Sequence, residues 1–110
     1  MAEHEAVFGR PRVYDEGDAR LARRAIGYVA WVYEKADGLT GNHRSARDPW
    51  LRASQSIPLN IAEGNGKTAD TDRRRCFEIA RGSALECAAT QDVLVVGKAL
   101  DEAESQNRSR

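Results

Sequence analysis

The sequence predicts an all-α domain, both from its composition and from the spacing of its apolar residues. The chain has 110 residues and is 41% hydrophobic and 31% charged, but only 6% aromatic. A low aromatic content disfavours a β-sheet. Three stretches carry apolar residues at the 3.6-residue period of a helix, and glycine-containing loops separate them. The length suits a single domain with one hydrophobic core.

The first predicted helix covers residues 18–36 and follows an irregular arm over residues 1–17. Asp18 suits the N-cap position, and a broad apolar face follows it at the helical period. The opposite face is basic and also carries Trp31, which is therefore predicted to be exposed. An exposed tryptophan among cationic side chains favours a binding surface. The residues predicted to form this surface are Arg20, Arg24 and Trp31.

The second predicted helix covers residues 48–63 and begins where Asp48 precedes a proline. Pro58 lies in its middle, where a proline removes a backbone donor and costs about 3 kcal/mol. We therefore expect the helix to bend or open there. Asn60 and Glu63 share one side of the helix beyond the proline. They either grip a ligand or bridge two helices, and we favour buried bridges, with Glu63 paired to the third helix.

Glycines end the second helix, and either Gly64 or Gly66 suits a left-handed residue there. The third predicted helix covers residues 70–98 and is apolar on more than one side, which indicates packing on more than one side. We expect its second apolar side to contact another subunit or the arm. That second side comprises Ile79, Leu85, Val93 and Val96. A weak fourth helix follows, so the predicted domain spans residues 18–104, before a polar tail at 105–110.

A cluster of basic residues near the start of the third helix is the main candidate for a binding site. It comprises Lys67, Arg73, Arg74 and Arg75. Clustered cations of this kind neutralise nucleic-acid phosphates. The alternative is a solvated face paired with neighbouring acidic residues. The chain as a whole has 17 basic and 17 acidic residues, so its net charge does not favour a polyanionic partner.

The sequence shows no motif of an enzyme, a cofactor-binding loop or a metal site. His4 and His43 lie in different irregular segments, without the paired spacing of zinc ligands. Cys76 and Cys87 fall eleven residues apart on one predicted helix. That spacing corresponds to a rise of about 16 Å, which is too far for a disulfide. We therefore expect no catalytic residues, no cofactor and no metal.

No segment of the sequence resembles a membrane anchor. The longest aliphatic run, residues 93–96, is far too short to span a bilayer. Residues 1–12 contain no apolar run of the kind found in signal peptides. The expectation is a cytoplasmic protein with no membrane partner.

Two motifs, in order, resemble a family of bacterial four-helix-bundle proteins. The first is Ser-Ile-Pro-Leu-Asn-Ile-Ala-Glu-Gly at 56–64, followed by Lys67, and the second is Phe-x-x-Ala-x-Gly-Ser-x-x-Glu from residue 77. The family includes proteins encoded by intervening sequences in large-subunit rRNA genes. The accessory variability determinant of diversity-generating retroelements is a relative. The signature residues look architectural, and they include Pro58, Asn60, Glu63, Gly64, Gly82, Ser83 and Glu86.

The resemblance implies an antiparallel up-and-down four-helix bundle, here with a short or truncated fourth helix. It also implies a homo-oligomer, which is a pentamer in known relatives, and binding to RNA or DNA. The retroelement relative additionally binds a reverse transcriptase, and no member is an established enzyme. The predicted function is a non-catalytic, oligomeric accessory protein that binds nucleic acid through local basic patches. The alternative is a homo-oligomeric protein–protein scaffold without a nucleic-acid role, since the chain is neutral where nucleic-acid-binding relatives are basic.

Overall fold

The computed structural model describes residues 16–109, which form four α-helices and one 3-10 helix. Their bounds are α1 Glu16–Asp37, the 3-10 helix Gly41–Ala46, α2 Arg47–Asn65, α3 Asp70–Val96 and α4 Glu102–Ser109. No strand occurs between residues 16 and 109. The predicted all-α bundle with a short fourth helix is confirmed, and the limits of its first three helices agree with the prediction to within two residues.

The ends of the predicted domain differ from expectation where the structure describes them. Residues 1–15 of the predicted arm lie outside the described residues, whereas Glu16 and Gly17 already belong to α1. The predicted polar tail at 105–110 is wrong up to residue 109, because α4 continues to Ser109. Ser105 is only 5% exposed, so this segment packs on the bundle instead of leaving it.

Helix α2 occupies the centre of the bundle, since it packs against both α1 and α3. Short connections reverse the chain direction between successive helices, which makes neighbouring helices antiparallel. As a result, the start of α1, the end of α2 and the start of α3 lie at the same end of the bundle. In the part of the chain that the structure describes, no helix is long and apolar enough to cross a membrane.

The hydrophobic core has a wide part and a narrow part. In the wide part, the side chains of Val32, Trp50 and Leu94 are at most 2% exposed. In the narrow part, toward the start of α1, Ile61 packs mainly against alanines, among them Ala80. Small side chains allow α2 to approach both α1 and α3 closely there, because less volume separates the helices.

Trp31 belongs to the core, so its predicted exposure on a basic surface is wrong. Its side chain is 6% exposed and meets the Trp50 ring edge-on, with the ring centroids 5.8 Å apart. The guanidinium of Arg108, on α4, lies 5.6 Å from the centre of the Trp31 ring. The side of α1 that the periodicity assigned to solvent is therefore covered by the fourth helix, whose packing a single helical pattern does not show.

A chain of hydrogen bonds through the core connects all four helices. Trp50 Nε1 donates to the Tyr28 hydroxyl at 3.3 Å, and that hydroxyl donates to Oε1 of Gln91. Gln91 Nε2 in turn donates to Oγ and to the carbonyl of Ser105, at 3.0 and 3.2 Å. Because Gln91 and Ser105 are both buried, these bonds attach α4 to α3 in one register.

Helix α2 continues through its proline, and its end differs from what its glycines predict. The helix is continuous from residue 47 to residue 65, with Pro58 inside it. Gly66 follows it with φ −86° and ψ −7°, which is right-handed backbone. Among residues 16–109, only Gly41 and Lys98 have positive φ, so the predicted left-handed glycine at 64 or 66 is wrong. Lys98 takes that conformation after α3, where φ is 65°.

Candidate nucleic-acid interface

The two basic segments predicted from sequence converge on one end of the bundle. Residues 16–25 and 63–81 lie at this end and contain eight basic and six acidic residues. We call it the basic end. Its cations are Arg20, Arg23, Arg24, Lys67, Arg73, Arg74, Arg75 and Arg81. A neutral chain therefore carries an excess of positive charge at the end where α1 begins and α2 meets α3.

The cluster predicted on α3 is divided between two sides of that helix. Arg73 and Arg74 point to an outer side, together with Arg81 two turns further along. Arg75 points to the other side, toward Lys67. The division follows from the helical period of 100° per residue, which rotates three consecutive arginines through 200°.

The outer side of α3 forms a shallow concavity of about 440 Å³, which we call the Phe77 cleft. Its lining residues follow the helical spacing of one face and are Asp70, Arg73, Arg74, Phe77, Glu78 and Arg81. Three arginines and two acidic residues leave one net positive charge around an aromatic ring. This arrangement offers phosphate contacts and a planar apolar surface in one place.

Phe77 is held in the cleft by contacts with both α3 and α2. The guanidinium of Arg73, one turn earlier in α3, lies 5.8 Å from the ring centre. The ring also meets α2 at Gly64, where an added Cβ would lie 3.0 Å from Phe77 Cε1. The ring also packs partly against the narrow part of the core. Its position is thus fixed by the helix pair, while part of the ring faces the cleft.

The other side of α3 is neutralised within the chain. Lys67 Nζ lies 3.9 Å from Glu63 Oε2, and Arg75 shares a separate polar cleft with Asp72. Two basic and two acidic residues balance there. Lys67 and Arg75 are therefore weaker candidates for phosphate contact than the three arginines around Phe77.

On α1, the structure keeps the predicted arginines at the basic end but not the predicted aromatic. Arg20 is exposed at the first turns of the helix. Arg24 is also exposed and lines an open groove of about 330 Å³ between α1 and α3, together with Tyr28 and Gln91. Trp31 lies further along α1, buried beside Trp50, and so takes no part in this surface.

The polar residues of the α2 motif act within the bundle, with one exception. Ser83 Oγ donates to Ser56 Oγ at 2.9 Å and so connects α3 to α2. Asn60 Nδ2 donates to the Ser56 carbonyl and hydroxyl, at 2.9 and 3.0 Å, and remains half-buried. The predicted burial of Glu63 is wrong, because its side chain is 59% exposed. Its carboxylate pairs with Lys67, which follows the end of α2, and not with a residue of α3. The bridge between α2 and α3 is therefore made by two serines.

Two further signature residues lie on an exposed face of α3. Gly82 and Glu86 are both exposed, and no atom lies within 4 Å of the position that a Cβ at Gly82 would take. Large apolar residues on the same face are 46% to 82% exposed. We call this face the α3 seam, which comprises Ile79, Gly82, Leu85, Ala89, Val93 and Val96. Its spacing of three and four residues resembles the seam of a helical coiled coil.

Phe77 was missed as a candidate binding residue, although the sequence contains a signal for it. It lies four residues after Arg73 and four before Arg81, which places all three side chains on one helix face. Trp31 on α1 was predicted as the aromatic binding residue instead, because it lies opposite the apolar face of that helix. A search for aromatics at four-residue spacing from arginine on the same helix would have selected Phe77.

Burial keeps one cysteine thiol and one tyrosine hydroxyl of the core protonated at neutral pH. Cys76 and Cys87 are free and buried, and burial raises the pKa of Cys87 to about 11. Burial also raises the pKa of Tyr28. Both groups therefore stay protonated at neutral pH, which is the opposite of what an activated nucleophile needs. Between residues 16 and 109, no cluster of His, Cys, Asp or Glu side chains could hold a metal ion.

Comparisons with known proteins agree with this architecture at the level of family. Neither the comparison with curated proteins nor the comparison with solved structures gave a match. The family model described as 23S rRNA-intervening sequence protein matches residues 18–109, which span α1 to α4 almost completely. The chain therefore belongs to the 23S rRNA-intervening sequence protein family.

Proposed function

We propose that the chain is a non-catalytic accessory protein that binds nucleic acid through the basic end of its bundle. The observation that carries the proposal is the Phe77 cleft, where three arginines surround a partly exposed ring. Arg20 and Arg24, at the start of α1, extend the cationic surface at the same end of the bundle. The family name, which refers to rRNA, is consistent with a nucleic-acid partner.

Self-association is the second part of the proposal, and it rests on the α3 seam. Val93 and Val96 expose 67% and 82% of their surface, on the side of α3 that faces away from the core. The seam is self-complementary in character, because small residues at Gly82 and Ala89 alternate with larger apolar ones. Two copies that pair their seams would bury this apolar surface at close helix distance. A pentamer is the assembly implied by family resemblance.

Salt-dependent binding tests the nucleic-acid role. We would measure the affinity of the protein for labelled RNA and DNA oligonucleotides by fluorescence anisotropy across a salt series. Affinity should fall linearly on a logarithmic scale, because phosphate contacts release counterions. An Arg74→Gln/Arg81→Gln variant should weaken binding and reduce the salt slope by about one for each arginine.

The matched control is Arg44→Gln/Arg52→Gln. These two arginines are also exposed, but they lie in the 3-10 helix and early in α2, away from the basic end. This variant should bind as the unchanged protein does. If neither RNA nor DNA binds at low salt, the nucleic-acid role is refuted, and the homo-oligomeric scaffold becomes the leading alternative.

The scaffold role is tested separately through a matched pair of charge substitutions. Val93, in the α3 seam, and Leu59, on α2, are 67% and 66% exposed. Val93→Glu should reduce the mass measured by sedimentation, because a charge in an apolar interface is costly, while Leu59→Glu should leave it unchanged. A chain that sediments as a strict monomer at high concentration would contradict self-association. The subunit number follows from the same measurement.

A further inference from the structure

We propose that the Phe77 cleft is a stacking site for an unpaired nucleobase, so that the preferred ligand is a single-stranded nucleic acid. This inference rests on the proposed nucleic-acid function and deepens it. The cleft contains a planar aromatic ring, a guanidinium that lies over it, and two further arginines at its edge. The first two features suit the base of a nucleotide, and the third suits its phosphates.

The Arg73 guanidinium lies over the Phe77 ring, so two planar groups meet in the cleft. With 5.8 Å between the guanidinium carbon and the ring centre, the two groups are within the range of a cation–π contact. Bases of single strands stack on phenylalanine rings and on arginine guanidinium planes. A base can therefore stack against the exposed part of this pair without any specific hydrogen bond.

The other two arginines lie where the sugar–phosphate backbone of a stacked base would run. Arg74 and Arg81 follow one another by two turns along the same face of α3. Their spacing along the helix corresponds to a rise of about 10 Å. They can contact phosphates on either side of one nucleotide, whereas Asp70 and Glu78 limit the excess charge to one.

The partly exposed ring distinguishes single strands from duplexes. In a duplex, each base is stacked on both faces and shows only its edges in the grooves. A stacking site can use a duplex base only after unstacking it, which costs a few kcal/mol. Phosphate contacts alone need no aromatic side chain, so the ring adds affinity only for strands whose bases are free.

The experiment compares three ligands of equal strand length: a single-stranded oligonucleotide, the same strand with abasic sites throughout, and a duplex. The protein variants are Phe77→Leu, which keeps an apolar side chain but removes the ring, and Phe77→Tyr, which keeps an aromatic ring. Binding is measured by fluorescence anisotropy at several salt concentrations. Thermal unfolding of each variant shows whether the fold is retained.

We expect Phe77→Leu to weaken single-strand binding by about 5- to 100-fold, the loss associated with one stacked base. Its salt slope should stay unchanged, because no phosphate contact is removed. Its binding to the abasic strand and to the duplex should change by less than about twofold, since neither ligand presents a free base. Phe77→Tyr should bind the single strand about as well as the unchanged protein does, because it keeps an aromatic ring.

The outcomes separate this inference from the proposed function. If no polymer binds at low salt, the nucleic-acid function itself is wrong. If the unchanged protein binds the base-containing and abasic strands equally, nucleic-acid binding stands and base stacking is refuted. That second comparison uses only the unchanged protein, so it decides the matter even if Phe77→Leu does not fold.

Discussion

Gly64 on α2 and the Phe77 ring on α3 are matched in shape. A Cβ added at Gly64 would lie 3.0 Å from Phe77 Cε1 and 3.1 Å from Cys76 Cβ, both closer than side chains normally pack. The glycine thus allows the two helices to approach and places the ring at the edge of the cleft. Gly64, which the sequence predicted to end α2, therefore serves the packing of α2 against α3.

Gly64→Ala should destabilise the protein even though alanine favours a helix. The methyl group meets both a ring and a Cβ, and overpacking of this kind costs about 1–3 kcal/mol. The gain in helix propensity offsets only about 1 kcal/mol of that cost. We expect a net loss of up to about 2 kcal/mol in the free energy of unfolding, measured with urea, and weaker single-strand binding because the ring is displaced.

Gly27→Ala is the control for that substitution. Gly27 is exposed within α1, and no atom lies within 4 Å of the position of its absent Cβ. This variant should gain about 0.5–1 kcal/mol from helix propensity alone. Equal gains at residues 27 and 64 would show that the contact with Phe77 is loose.

The roles of Glu63 and Ser83 lead to opposite predictions for alanine substitutions. Glu63→Ala should change the free energy of unfolding by less than about 0.5 kcal/mol, because the carboxylate is exposed and only distantly paired. Ser83→Ala should cost about 0.5–1.5 kcal/mol, since it removes the donor to the Ser56 hydroxyl in the contact between α2 and α3. Chemical denaturation of both variants under one set of conditions checks the order.

The helices were predictable because local signals determine them, whereas side-chain partners depend on the packing of several helices. The periodicity of α1 to α3 gave their limits to within two residues. It could not show that α4 covers Trp31, since one helix pattern contains no information on the partner helix. Glu63 was misplaced for a related reason. Sharing a helix side with Asn60 did not mean sharing its burial, since Asn60 is half-buried whereas Glu63, one turn later, is exposed.

Gln91 joins α4 to the core by donating to the buried Ser105. Gln91→Leu replaces the amide with an apolar side chain of similar size, so Ser105 loses a donor and the Tyr28 hydroxyl loses an acceptor. We expect a loss of about 1–3 kcal/mol in the free energy of unfolding, with faster hydrogen exchange in α4 than in α3.

The control for Gln91 is the exposed ion pair that also joins α4 to the bundle. Lys35 Nζ lies 2.8 Å from Glu104 Oε2 at the surface. Glu104→Gln should leave both stability and α4 exchange nearly unchanged, because surface ion pairs contribute little. Equal effects of the two substitutions would mean that α4 is held by its surface and not by the buried hydrogen bonds.

Cys87 should make the protein less stable at alkaline pH. Burial raises the pKa of its thiol to about 11, from an ordinary value of about 9. Between these values, the folded chain keeps a proton that the unfolded chain releases, so the free energy of unfolding falls as pH rises. Below pH 9, both states hold the proton, and the thiol contributes no pH dependence. The difference of two pKa units lowers the free energy of unfolding by about 1–3 kcal/mol as the pH rises from about 9 to about 11. Urea denaturation at a series of pH values should therefore show a steeper decline for the unchanged protein than for Cys87→Ala, and parallel curves would show that the thiol is not the source.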